Sequence, residues 1–170
     1  TCVAWRDGNR WSPLGAGVNG RVHALTAYDG ELIAGGCFST AGGAAANSIA
    51  SWDGSSWSPL GAGVNGCVDA LLVYDGKLIA GGDFDTAGGV AANCLAAWDG
   101  SSWSPLGSGV DIQGAGFPNV NALSVYDGKL IVGGRFTTAG GVAASLVASW
   151  DGSNWSPLGA IIDNVDEGQR

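Results

Sequence analysis

YDGKLIAGGDFDTAGGVAANCLAAWDGSSWSPLG, residues Tyr74 to Gly107, decides the fold, because nearly the same string precedes it and follows it. The tryptophans give the period. Trp52 and Trp98 stand 46 residues apart, Trp5 and Trp52 stand 47 apart, and Trp98 and Trp150 stand 52 apart. One extra residue within Trp5-Arg6-Asp7-Gly8-Asn9-Arg10-Trp11 explains the 47, and an insertion around Asp111 to Pro118 explains the 52. The underlying register is 46.

Repeats of roughly 40 to 50 residues with Trp-Asp or Gly-Gly signatures point to β-propeller blades, whereas helical repeats would show a 3.6-residue apolar period and few glycines. The 31 glycines do not fall at every third position, which excludes collagen, and 46% hydrophobic content is too high for a disordered Gly/Ser linker. With a net charge of −8 and only 13% charged residues, the chain is not expected to bind nucleic acid or to be drawn electrostatically to an anionic membrane. It holds no apolar run of about 18 residues that would suggest a membrane span.

Each repeat resolves into two hairpins. Val68 to Tyr74 and Lys77 to Phe84 flank Asp75-Gly76, and Asp-Gly between apolar runs favours a tight turn with positive φ at both central residues. These are strands a and b. Cys94 to Trp98 and Trp103 to Leu106, joined through Asp99-Gly100-Ser101-Ser102, are strands c and d. Pro13, Pro59, Pro105 and Pro157 cannot donate to a ladder, so strand d is expected at an outer edge. The fold class is therefore all-β, a propeller of four-stranded antiparallel blades. The chain divides into a half blade at 1–14, blades at 21–60, 67–106 and 119–158, and a tail at 159–170.

Counting outward from Asp29-Gly30 pairs Tyr28 with Glu31, Leu25 with Ala34, His23 with Gly36 and Val22 with Cys37. Gly35-Gly36, Gly81-Gly82 and Gly133-Gly134 then lie late in strand b, where a missing Cβ permits close backbone approach, here of the neighbouring blade.

Gly-Gly, then an aromatic-Asp turn, then Trp, is a pattern that resembles the kelch family of β-propellers, and more closely the WDGSSWSPLG-type blades of secreted bacterial and archaeal surface proteins. The likeness covers nearly the whole chain. It implies a propeller fold and an extracellular or cell-surface location. Kelch-like blades carry Tyr before the Asp, where this chain has Trp52, Trp98 and Trp150, and the linker Thr86 to Asn93 is of its own Thr-Ala-Gly-Gly variety.

The hairpin Cys2 to Leu14 reads as strands c and d without a and b, and Asn164-Val165-Asp166 matches the start of a strand a. Open blade faces are normally capped, or closed into a ring of about four to eight blades. The expectation is either an excerpt of a longer chain or copies that complete one another as a homo-oligomer or filament.

Internal comparison shows where identity is not required. Arg21/Cys67/Asn119, His23/Asp69/Asn121, Cys37/Asp83/Arg135 and Ser39/Asp85/Thr137 differ between repeats while turns and core barely change. All fall on the face opposite the Asp-Gly turns, together with the Asp111 to Pro118 insertion, so Arg21, His23, Asp69, Asp83, Asp85, Asn121 and Arg135 are the candidate binding residues for a glycan or surface protein. Drift at exposed positions is the competing explanation.

Asp69, Asp83 and Asp85 cluster at one hairpin end and are the candidate ligands for a hard cation such as calcium, the single cofactor considered, although EF-hand and RTX spacing is absent. His23 is the sole histidine, and no catalytic residue is assigned. No Cys/His spacing suits zinc. The four cysteines allow three pairings, of which Cys37 with Cys67 is favoured, since both fall on the same face in successive blades. Asn154-Trp155-Ser156 fits a glycosylation sequon but replaces Ser-Ser-Trp-Ser of the other turns and is read as drift.

Two functional readings follow. The first is a non-enzymatic extracellular structural protein that self-assembles through blade contacts between chains. The second is a ligand-binding propeller module of a larger surface protein. A copper oxidase on the same scaffold is excluded, because its site needs more histidines than His23.

Overall fold

The computed structural model describes residues 3–158. They form strands and turns, with no helix among the described residues. Three four-stranded antiparallel sheets follow one another along the chain, each in the order a, b, c, d. The first blade consists of Arg21–Tyr28, Glu31–Cys37, Ile49–Trp52 and Trp57–Pro59. Val68–Tyr74, Lys77–Gly82, Leu95–Trp98 and Trp103–Pro105 form the second. The third is built from Asn119–Tyr126, Lys129–Arg135, Val147–Trp150 and Trp155–Pro157. Ala4–Asp7 and Arg10–Pro13 make the two-stranded hairpin ahead of the first blade. These are blades of a β-propeller, and the described residues do not close a ring.

The Asp-Gly turns adopt the expected conformation. φ is 50° and 79° at Asp29-Gly30, 50° and 70° at Asp75-Gly76, and 51° and 71° at Asp127-Gly128, the positive pair that matches the twist of a hairpin. The linkers between strands b and c carry structure the sequence pattern did not suggest. Thr40–Ala41 pairs with Ala44–Ala45, Thr86–Ala87 with Val90–Ala91, and Thr138–Ala139 with Val142–Ala143.

The counted register holds from the turn as far as Leu25 opposite Ala34, and is corrected beyond it. Ala24 faces Gly35, Val22 faces Gly36 and Arg21 faces Cys37, so His23 faces no residue and Val22 does not face Cys37. A β-bulge inserts one extra residue there, and the same shift recurs at Gly81/Gly82 and at Val120/Ala122. The bulged residues are His23, Asp69 and Asn121. A bulge adds one residue to one strand and re-aims its side chain, which alternation alone cannot reveal. The second glycine serves the bulge: a Cβ on Gly36 would strike the Arg21 carbonyl of its own blade. The first serves the neighbour, since a Cβ on Gly35 would lie 2.5 Å from Val68 Cγ1 of the next blade.

In the first two blades strand b is buried on both faces, and its period of two decides which neighbour each residue meets. Ala34 packs with Val3, Leu14 and Phe38, whereas Ile33, one residue earlier, joins Val68, Leu78 and Phe84 of the second blade. Ile79 repeats the move into the third. Each junction is also fastened by an indole. Trp57 Nε1 donates to the Leu14 carbonyl, Trp103 to Leu60 and Trp155 to Leu106, at 2.9, 2.9 and 3.1 Å.

Candidate functional site at the blade junctions

The bulge carries the variable residues towards the next blade, because the a strands of successive blades lie side by side. His23 Nδ1 is 2.6 Å from Asp69 Oδ1. A carboxylate only accepts, so Nδ1 donates. The other Asp69 oxygen accepts from Asn119 Nδ2 at 2.8 Å. A chain of hydrogen bonds thus runs from the first blade through the second to the third.

Cys37, at the end of strand b of the first blade, and Cys67, just before strand a of the second, are joined by a disulfide with their Cα atoms 4.7 Å apart. His23 Nε2 lies 4.0 Å from Cys37 Sγ. Cys94 is free and buried. Its thiol is pushed up to about 12, first by burial and then by the carboxylates of Asp83, Asp111 and Asp85. Cys2 lies outside the described residues.

The three proposed cation ligands do not converge. Asp69 is taken up by His23 and Asn119, Asp83 Oδ1 accepts the Cys67 N–H at 2.5 Å, and Asp85 Oδ1 accepts from Asn65 Nδ2 at 2.6 Å. Among the described residues no group of three or more His, Cys, Asp or Glu is placed to hold a metal ion. The bulge leaves Asp69 without a partner across its own hairpin, and its carboxylate bonds instead to His23 of the first blade and Asn119 of the third. Arg21 stands opposite Cys37 and Arg135 opposite Asn119, both exposed, while Asn121 is exposed on the third bulge.

Two grooves occupy equivalent junctions on this face. The first, about 730 Å³, is lined by Asn19, Ser39, Asn47, Asn65 and both disulfide cysteines, with no charged side chain. In the second, about 170 Å³, Asp83, Asp85 and Asp111 stand where the first has Cys37, Ser39 and Asn65, and Phe117-Pro118 of the insertion narrows it. Asn19 and Asn65 were not singled out in the sequence, yet they tie the grooves together. Asn19 Oδ1 accepts from Ser39 N and Thr40 N, and Asn65 Oδ1 from Asp85 N and Thr86 N. Asn47 and Asn93 likewise donate across a junction to the Ala62 and Ser108 carbonyls. Their recurrence at the 46-residue period was the available signal.

A family model described as "Domain of unknown function (DUF5122) beta-propeller" matches residues 75–96 and 127–148, the stretch from the Asp-Gly turn into strand c of the second and third blades. No curated protein matches the chain. Over those two segments the chain is similar to a propeller-type repeat family.

Proposed function

We propose that the chain is a self-associating, extracellular structural propeller, of the kind its kelch-like repeats resemble, in which the hairpin Ala4–Pro13 of one copy docks on the third blade of another. The carrying observation is the series of indole bonds across junctions, from Trp57 to Leu14, Trp103 to Leu60 and Trp155 to Leu106. Its next members are Trp11 and Leu158, at the two open faces. Trp11 is 67% exposed against 7% for Trp57, and Leu158 is 44% exposed against 4% for Leu60 and Leu106. Val147 and Tyr126 on the same third blade are exposed as well, whereas Leu95, the counterpart of Val147, is fully buried by the next blade. A face that two neighbouring junctions bury suits another blade of the same type, and head-to-tail contacts of this sort close into rings or run on as filaments. The Cys37–Cys67 disulfide fits an oxidising, extracellular setting.

Light scattering across a concentration series tests this. Species larger than a single copy are expected, and Trp5→Ala with Trp11→Ala, or Leu158→Asp, should reduce them to monomer. A monomer at all concentrations, or assembly indifferent to both variants, overturns it.

The uncharged 730 Å³ groove favours a second reading, a module that binds a neutral hydroxyl-rich ligand such as a glycan. Calorimetric titration with chitotetraose and cellotetraose, with Asn47→Ala as control, should give heats that the variant loses.

A further inference from the structure

The first groove has a sulfur–sulfur bond on its wall, since Cys37 and Cys67 both line it and both are half-buried. The two sulfurs have unlike surroundings. Beside Cys37 stands the His23 imidazole, with Nε2 4.0 Å from Sγ and Nδ1 held by Asp69. Asp69 is itself fixed by Asn119, so the ring is held with Nδ1 on the carboxylate and Nε2 on the side of the sulfur. Arg21 is the cross-strand partner of Cys37. Cys67, by contrast, gives its backbone N–H to the Asp83 carboxylate, which places negative charge beside it. A thiolate is stabilised next to an imidazolium or another cation and destabilised next to a carboxylate.

We propose that Cys37–Cys67 is a thiol–disulfide exchange site for a small or peptide-borne dithiol, in which Cys37 is the departing thiolate and His23 its proton partner. The first thiol of the substrate attacks as its thiolate, its proton released to solvent, and its sulfur bonds to Cys67 Sγ as the Cys37–Cys67 bond breaks. Cys37 leaves with the electron pair and is held as a thiolate beside His23, which takes up the released proton from solvent at Nε2. The second substrate thiol then attacks the mixed disulfide, and Cys67 leaves and takes up that thiol's proton. The substrate dithiol is oxidised to a disulfide, and the protein disulfide is reduced by the same two electrons. Attack falls on Cys67 because the better-stabilised thiolate is the better leaving group. An external disulfide reverses the sequence. The charged groups around the site are Asp69 and Asp83 of the second blade and Arg21 of the first.

The test uses the full chain with Cys2→Ser and Cys94→Ser, so that only the pair reacts. The oxidised protein is mixed with a Cys-Gly-Gly-Cys peptide, quenched in acid and mapped by mass spectrometry. The mixed disulfide is expected on Cys67, formed about tenfold more slowly in His23→Ala. After reduction, iodoacetamide at pH 6 should label Cys37 about tenfold faster than Cys67, a preference lost in His23→Ala and weakened in Asp69→Asn. Capture on Cys37, or equal labelling of the two thiols, or rates unchanged in His23→Ala, overturns the proposal. Should reduction unfold the chain, the acid-quenched experiment on the oxidised protein decides alone.

Discussion

At the scale of single residues, Gly35 and Gly81, the first glycines of their Gly-Gly pairs, sit where one blade meets the next. A Cβ added at Gly81 would lie 2.5 Å from Val120 Cγ1, whereas at Gly133 the nearest atom is the Ala122 Cβ of its own blade at 3.4 Å. Overpacking a closed core costs about 1–3 kcal/mol. Gly81→Ala should therefore lower stability by about that much in denaturant melts, while Gly133→Ala should be near neutral in the monomer. Equal costs at both positions would mean that the glycines are needed for their backbone and not for the neighbour. That Gly-Gly permits close approach was legible in the sequence. Which glycine serves the neighbour and which the bulge was not, because the bulge at His23, Asp69 and Asn121 adds a residue that a two-residue period cannot register.

At the scale of elements, the c–d turn is organised by one carboxylate. Asp99 Oδ1 accepts from the Ser101 and Ser102 N–H groups at 2.8 Å each and from Ser101 Oγ, and Asp53 repeats the arrangement with Ser55 and Ser56. Those donors hold Asp53 and Asp99 far below the ordinary carboxylate value of 3.8, the backbone bonds contributing most, and Asp151 is lowered in the same way. A carboxyl whose folded value is depressed stabilises the fold fully above its unfolded value and loses that contribution as pH falls towards the folded one. The thermal midpoint should therefore hold from pH 7 to about 5 and drop below about pH 4. In the variant carrying Asp53→Ala, Asp99→Ala and Asp151→Ala the midpoint at pH 7 should be lower and the acid limb shallower. An acid limb as steep as that of the parent would place the titration elsewhere. These turns were read from the sequence as turns alone. The backbone N–H groups two and three residues after each Asp are what make them carboxylate caps, a local pattern with no tertiary partner.

At the scale of the whole molecule, stability lies between the blades as much as within them. Each buried cluster draws residues from two consecutive units, as Ile33 and Ile49 join the second blade and Ile79 and Leu95 join the third. The Cys37–Cys67 bond spans the first of these junctions with a sequence separation of 30. Closing a loop of that size contributes about 2–4 kcal/mol, mainly by restricting the unfolded chain. Cys37→Ser with Cys67→Ser should lower the thermal midpoint by several degrees, without loss of β signal in circular dichroism. A midpoint unmoved by the double substitution would show that packing and the indole bonds hold the first junction unaided.

The sequence by itself determined the repeat, the four strands of each blade and the Asp-Gly turns, because each depends on a short-range rule: a period of two, a turn dipeptide, or a proline that cannot donate. It also singled out the variable face and both ends of the Cys37–Cys67 bond. Only the tertiary structure decided how that face is wired. Whether Asp69 belongs with Asp83 and Asp85 of its own hairpin or with His23 and Asn119 of its neighbours depends on a one-residue bulge and on the separation of adjacent blades. Both are set by packing between residues about 50 positions apart in the chain, which no local pattern in the sequence encodes.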